Sequence, residues 1–109
     1  MKLLFAVVQK DDVKNLTKAL VQHKLSVTRI SSSGGVLRGG NTTLMIGVEE
    51  ERLQETLEII KAESSRREVL TTASFALPGL SADSLHSPVL ITVGGATVFV
   101  MDVEQYYKI

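Results

Sequence analysis

The apolar positions change their period along the chain, and the changes mark the elements. Lys2–Gln9 is a short, nearly continuous apolar run, as expected of a strand central in a sheet or covered on both faces. Asp11-Asp12 follow as helix-start signals. Val13, Leu16, Ala19, Leu20 and His23 recur at helical spacing, with Lys14, Asn15, Lys18 and Gln22 on the other side. That spacing predicts an amphipathic helix of about three turns. Ser26–Ile30 alternates, with Val27 and Ile30 apolar, and reads as a strand. After a glycine-rich segment, Thr42–Val48 reads as another strand, and the Gly47 inside it signals a bulge or a close backbone approach.

The second half begins with Glu49-Glu50-Glu51, acid at a helix start where the macrodipole favours it. Leu53, Leu57 and Ile60 keep i, i+4, i+7 spacing, Ile59 widens the stripe, and Lys61, Arg66 and Arg67 place base near the end. Glu68–Pro88 contains Pro78, Gly79, Pro88 and many Ser and Ala, with little periodicity, and predicts a long loop. Val89–Val93 and Ala96–Val103, joined by Gly94-Gly95, suggest a tight hairpin, with Thr97–Met101 as the most buried strand. The order β-α-β-β-α-β(-β) predicts an α+β fold, a ferredoxin-like βαββαβ subunit with an extra C-terminal hairpin strand. It is read as a single domain over 1–109, with flexible loops at about 31–40 and 68–88. Phe5, Val7, Leu44, Ile46, Phe99 and Met101 cannot all lie under two helices, so self-association with closed symmetry is expected.

Composition narrows the function. The chain has 109 residues and is 44% hydrophobic, enough for one packed core. Its 12 basic and 12 acidic residues balance, so no basic field is present to hold a nucleic acid polymer or an anionic membrane. Without cysteine there is no disulfide framework, thiolate metal site or cysteine nucleophile. The apolar run at 2–8 is too short to span a membrane and no small-residue cleavage site follows, so a cytoplasmic location is expected.

The chemistry concentrates in Ser31–Thr43, where Gly34-Gly35 and Gly39-Gly40 bracket Val36, Leu37 and Arg38, and Asn41-Thr42-Thr43 follows. Such a segment either turns tightly or wraps a small anion, because glycine lets a ligand approach main-chain N–H groups. Gly35-x-x-x-x-Gly40-Asn41-Thr42 falls one residue short of a phosphate-loop motif: Asn41 replaces the lysine, and a strand follows where that motif opens a helix. Arg38 is either a solvated charge or a contact for phosphate or a partner protein. Enzyme signals are poor. His23 and His86 lack metal-ligand spacing. Asp11-Asp12 and Glu49–Glu51 are explained as helix-start acids. Asp83 has no base placed near it, and no metal or cofactor is called for. Tyr106, Tyr107 and Ile109 suit packing at a subunit edge or a lid over a ligand.

Three pieces, Gly34-Gly35-x-Leu37-Arg38-x-Gly40-Asn41-Thr42-Thr43, Ser81–Ser84 and Gly94–Met101, resemble the PII-like cyclic di-AMP receptor family (the PstA or DarA type). The resemblance runs in order from Met1 to Ile109. It implies a ferredoxin-like subunit, a homotrimer, and a cyclic dinucleotide bound in the cleft between neighbouring subunits, signalled through loop ordering to a protein target. It carries ligand contacts onto Thr28, Gly35, Leu37, Asn41 and Gly47, with Val36 and Arg38 in the same loop. Three positions depart from the family: Val36 stands where an aromatic stacks on a base, Ser26 where an arginine meets phosphate, and Lys108 where a glutamine stands. The alternative reading is a trimeric PII-like interaction module that has lost cyclic di-AMP binding or senses another small anionic nucleotide.

Overall fold

The computed structural model describes residues 1–30, 40–74 and 86–109. Strand β1 (Lys2–Gln9) leads directly into helix α1 (Lys10–Gln22), followed by β2 (Ser26–Ile30) and β3 (Asn41–Val48). A single 3-10 turn over Glu50–Arg52 opens α2 (Leu53–Ser64), and then come β4 (Arg67–Ser74), β5 (His86–Val93) and β6 (Ala96–Asp102). The main sheet has the order β2-β3-β1-β6 with every neighbouring pair antiparallel. The fold is α+β, and this strand order is that of a ferredoxin-like domain.

Alternation along the strands decides which side chains meet the helices. Leu4 stands opposite Ile46 and Ala6 opposite Leu44, so these side chains share one face. With Val8, Val48, Leu16, Leu20, Ile59 and Ile60 they form the core beneath α1 and α2. Each fully buried Leu or Ile there contributes about 1.5–3 kcal/mol. Of the six apolar residues expected not to fit together under two helices, Leu44 and Ile46 are covered by them. The residues on the opposite, uncovered face are Leu3, Phe5, Val7, Met45, Phe99 and Met101.

Helix ends are satisfied in ways the sequence did not announce. Gln9 precedes α1 without a side-chain cap, and the Lys10 N–H donates instead to the Gly40 carbonyl at 2.7 Å. Asp12 is no cap either: its buried carboxylate faces Arg67. At the other end Lys24 takes φ +60°, while the Lys24 and Leu25 N–H groups return to Val21 and Leu20 at 2.9 and 3.0 Å. This is a Schellman ending made without glycine. Inside α2, Thr56 and Ser64 are buried because their hydroxyls donate to the carbonyls of Arg52 and Ile60, one turn back.

The last third differs most from expectation. Residues 68–74 and 86–88, expected as loop, belong to strands: Arg67–Ser74 and His86–Val93, which includes the expected strand Val89–Val93, form a separate antiparallel ribbon with Leu70 opposite Leu90 and Val69 opposite Ile91. In a two-stranded ribbon both strands are edges, so Pro88 is tolerated where it would break a central strand. The part of the expected long loop over 75–85 lies outside the described residues.

Gly94-Gly95 does not close a hairpin. β5 pairs with β4, whereas β6 crosses to the free edge of β1, with Phe99 opposite Phe5 and Met101 opposite Leu3. The two glycines, at φ +83° and +102°, make the corner between the sheets. Strand β6, expected to be the most buried, is an edge strand: Phe99 is 57% exposed and Met101 42%.

Candidate functional site

Of the residues singled out in the sequence, Thr28, Asn41 and Gly47 fall in the described structure, whereas Gly35, Val36, Leu37 and Arg38 lie outside the described residues. Thr28 is opposite Met45 and Ser26 is opposite Gly47, so Thr28 and Gly47 are diagonal neighbours on the open face of the sheet. Gly47 sits in an unbroken ladder between Leu3 and Ser26, and no bulge occurs there. A side chain at Gly47 would meet the Met1 Cε at 3.3 Å, tight against a flexible group. Asn41 is at the other end of β3, ~20 Å from Gly47 at about 3.3 Å per residue. One chain therefore does not gather Thr28, Gly47 and Asn41 at a single point.

What surrounds Asn41 is a groove of about 480 Å³ at the rim of the open face. Val7 and Gln9 of β1, Arg66, and the Gly94-Gly95 corner with Ala96 and Thr97 form its walls. Asn41 is there because it pairs with Gln9 at the end of the β1–β3 ladder. Gln9 uses its Oε1 to accept the Gly94 N–H at 2.6 Å, which leaves its amide donors for other partners. The Gly95 N–H donates to the Ser64 carbonyl at 2.6 Å, fixing the corner against the end of α2.

The adjacent arginines divide their work. Arg67 meets the buried Asp12 with Nη2–Oδ1 at 2.7 Å and donates from Nη1 to the Ser65 carbonyl at 3.2 Å. The bond to Asp12 holds the Arg67 guanidinium above its ordinary value, so this arginine is committed to structure. Arg66 points elsewhere, since successive side chains of an extended chain alternate. It lines the Asn41 groove and two hollows beside it, one of about 310 Å³ against α2 and one of about 460 Å³ along Glu68 and Thr92. Its guanidinium is exposed, and no ion pair engages it among the described residues.

Chemically, the groove offers what a phosphorylated base needs. Arg66 supplies a fork of N–H donors and positive charge for phosphate. Asn41 and Gln9 supply amides that pair with base edges, and Thr97 adds a hydroxyl. Arg66, Gln9 and Thr97 were not singled out from sequence. The signal for Arg66 was present in the Arg66-Arg67 pair, but reading it required knowing that a strand, not a helix end, begins there.

A crystal structure of a functionally unknown protein from Pediococcus pentosaceus ATCC 25745 is similar at 40% identity and a TM-score of 0.78. The match covers 99% of this chain and 96% of that one. The sequence also matches the cyclic-di-AMP receptor family over residues 1–109. With its whole length inside that match, the chain belongs to the cyclic-di-AMP receptor family.

Proposed function

We propose that this protein is a non-enzymatic receptor that binds cyclic di-AMP in clefts between the subunits of a homotrimer and relays binding through its loops. The observation that carries the reading is the convergence of Asn41, Gln9 and Arg66 on one groove at the rim of an uncovered sheet face. Family membership supplies the ligand class. The separation of Asn41 from Thr28 and Gly47 within one chain supports a shared site. A second subunit docked on the open face brings a complementary set of these residues to the same cleft. Binding then changes the surface offered to a target protein, in a bacterial cytoplasm.

Calorimetry of the purified protein against cyclic di-AMP, with cyclic di-GMP and ATP as controls, tests the proposal. Saturable heat with cyclic di-AMP is expected. No heat and no thermal shift at high micromolar ligand overturns it. Arg66→Ala and Asn41→Ala are each expected to weaken binding about tenfold or more, since a hydrogen bond to a charged group is worth about 1.5–3 kcal/mol.

Ser26 and Val36 favour a second reading, an interaction module with little or no ligand affinity, because a phosphate contact and a stacking surface are missing relative to the family. The combined change Ser26→Arg with Val36→Phe distinguishes the two. Stacking alone is worth about 1–3 kcal/mol per base, so affinity rises by roughly one to two decades if the receptor site is intact.

A further inference from the structure

Away from the Asn41 groove, a hollow of about 630 Å³ lies between α1 and the edge strand β2. Its floor is apolar: Val13 and Val27 belong to or pack on the core, and Val21 stands 58% exposed. Its rim is cationic. Lys10, Lys14 and Lys18 follow one another at i, i+4 and i+8 along ~12 Å of α1, and Arg29 faces them from β2. All four are exposed, and none is in an ion pair among the described residues. Among the described residues no Asp or Glu lines the hollow, although the whole chain is electrically balanced. Like charges at i, i+4 oppose helix formation, so this stripe does not serve the fold of α1.

We infer that this hollow is a docking surface for an acidic amphipathic segment of a partner protein. Its carboxylates meet the lysine rim and Arg29, and its apolar side chains cover Val21 and Val27. Charge complementarity selects the occupant: four cations around an apolar floor match a segment that carries both acid and bulky apolar groups. The surface is separate from the groove around Asn41 and stands whether or not cyclic di-AMP binds.

The test is selection of short random peptides displayed on phage against the full-length chain, with a Lys14→Glu/Lys18→Glu variant as counter-selection. Both lysines are exposed, so the variant is expected to keep the wild-type circular dichroism and melting temperature. Enriched peptides are expected to combine Asp or Glu with Leu, Ile or Phe. By fluorescence anisotropy their Kd is expected to rise at least tenfold in the double variant and in Val21→Asp. It is also expected to rise several-fold from about 50 to about 200 mM salt, because exposed charge pairs are screened. Cyclic di-AMP titrations of wild type and double variant are expected to coincide. Absence of acidic enrichment, or equal binding to both forms, overturns the inference. So does a drop in oligomeric state of the double variant by sedimentation velocity, since the hollow would then seat the acidic α2 of a second copy.

Discussion

At the scale of single residues, Gly94 and Gly95 show how two identical neighbours hold different positions. Both lie at positive φ, where a side chain costs of order 1–3 kcal/mol in backbone strain. At Gly94 a Cβ would also stand 2.4 Å from the Ser65 carbonyl oxygen, a contact with backbone that cannot yield. At Gly95 nothing lies within 4 Å. Gly94→Ala is therefore expected to destabilise the protein by about 3 kcal/mol or more and Gly95→Ala by about 1 kcal/mol, compared by urea unfolding. Equal losses would show that the corner is held by φ alone. The glycine pair was visible in the sequence, but which of the two abuts backbone was not, because Ser65 is remote along the chain.

At the scale of elements, three charge pairs hold parts of the fold in place. Arg67 and Asp12 join the base of the β4–β5 ribbon to α1. Arg67→Ala leaves the Asp12 carboxylate buried without its cation. A loss of about 1–3 kcal/mol is expected, below that of a fully buried pair because the Arg67 side chain is 44% exposed. Amide exchange should quicken in β4 and β5 before it does in β1 and β3. Uniform quickening would mean that the pair does not anchor the ribbon. Lys2 and Asp102 link β1 to β6, and Arg52 and Glu55 bracket the start of α2. Hydrogen bonds from these cations hold the Asp102 and Glu55 carboxyls below their ordinary values. A depressed carboxyl contributes its stability in full above the unfolded-state value and loses it as pH falls through the folded-state value. The melting temperature is thus expected to hold at neutral pH and to fall below about pH 4, less steeply in Asp102→Asn. Both pairs are exposed, so added salt should shrink the difference. The element order through α2 was readable from period alone. Of the ribbon only Val89–Val93 was readable, since the rest of its strands mixes Thr, Ser and Pro with apolar residues and gains regularity from pairing.

At the scale of the molecule, the described residues leave a large apolar surface uncovered. Phe99, Val100 and Met101 are exposed on the edge strand, and Leu70 and Leu90 of the ribbon are 70% and 61% exposed. A lone two-stranded ribbon is marginal in water, and a contiguous apolar sheet face marks an interaction surface. Light scattering is expected to show an assembly larger than one chain, and Phe99→Asp is expected to shift it toward monomer. A wild-type monomer at tens of micromolar would remove the inter-subunit cleft proposed for the nucleotide. Among the described residues, no helix is long and apolar enough to cross a membrane.

The sequence by itself determined the class of fold, the first three strands and two helices in order, and the family, through short glycine-containing motifs that need no tertiary context to be seen. Periodicity suffices there because each element buries one face against a common core. Only the tertiary structure decided that the Gly94-Gly95 pair is a corner between sheets, that Asp12 answers Arg67, and that Arg66 and Gln9 join Asn41 in one groove. These depend on contacts between residues as far as 85 positions apart, Gln9 and Gly94 among them. No local pattern of hydrophobic and polar residues encodes which distant backbone group a side chain will meet.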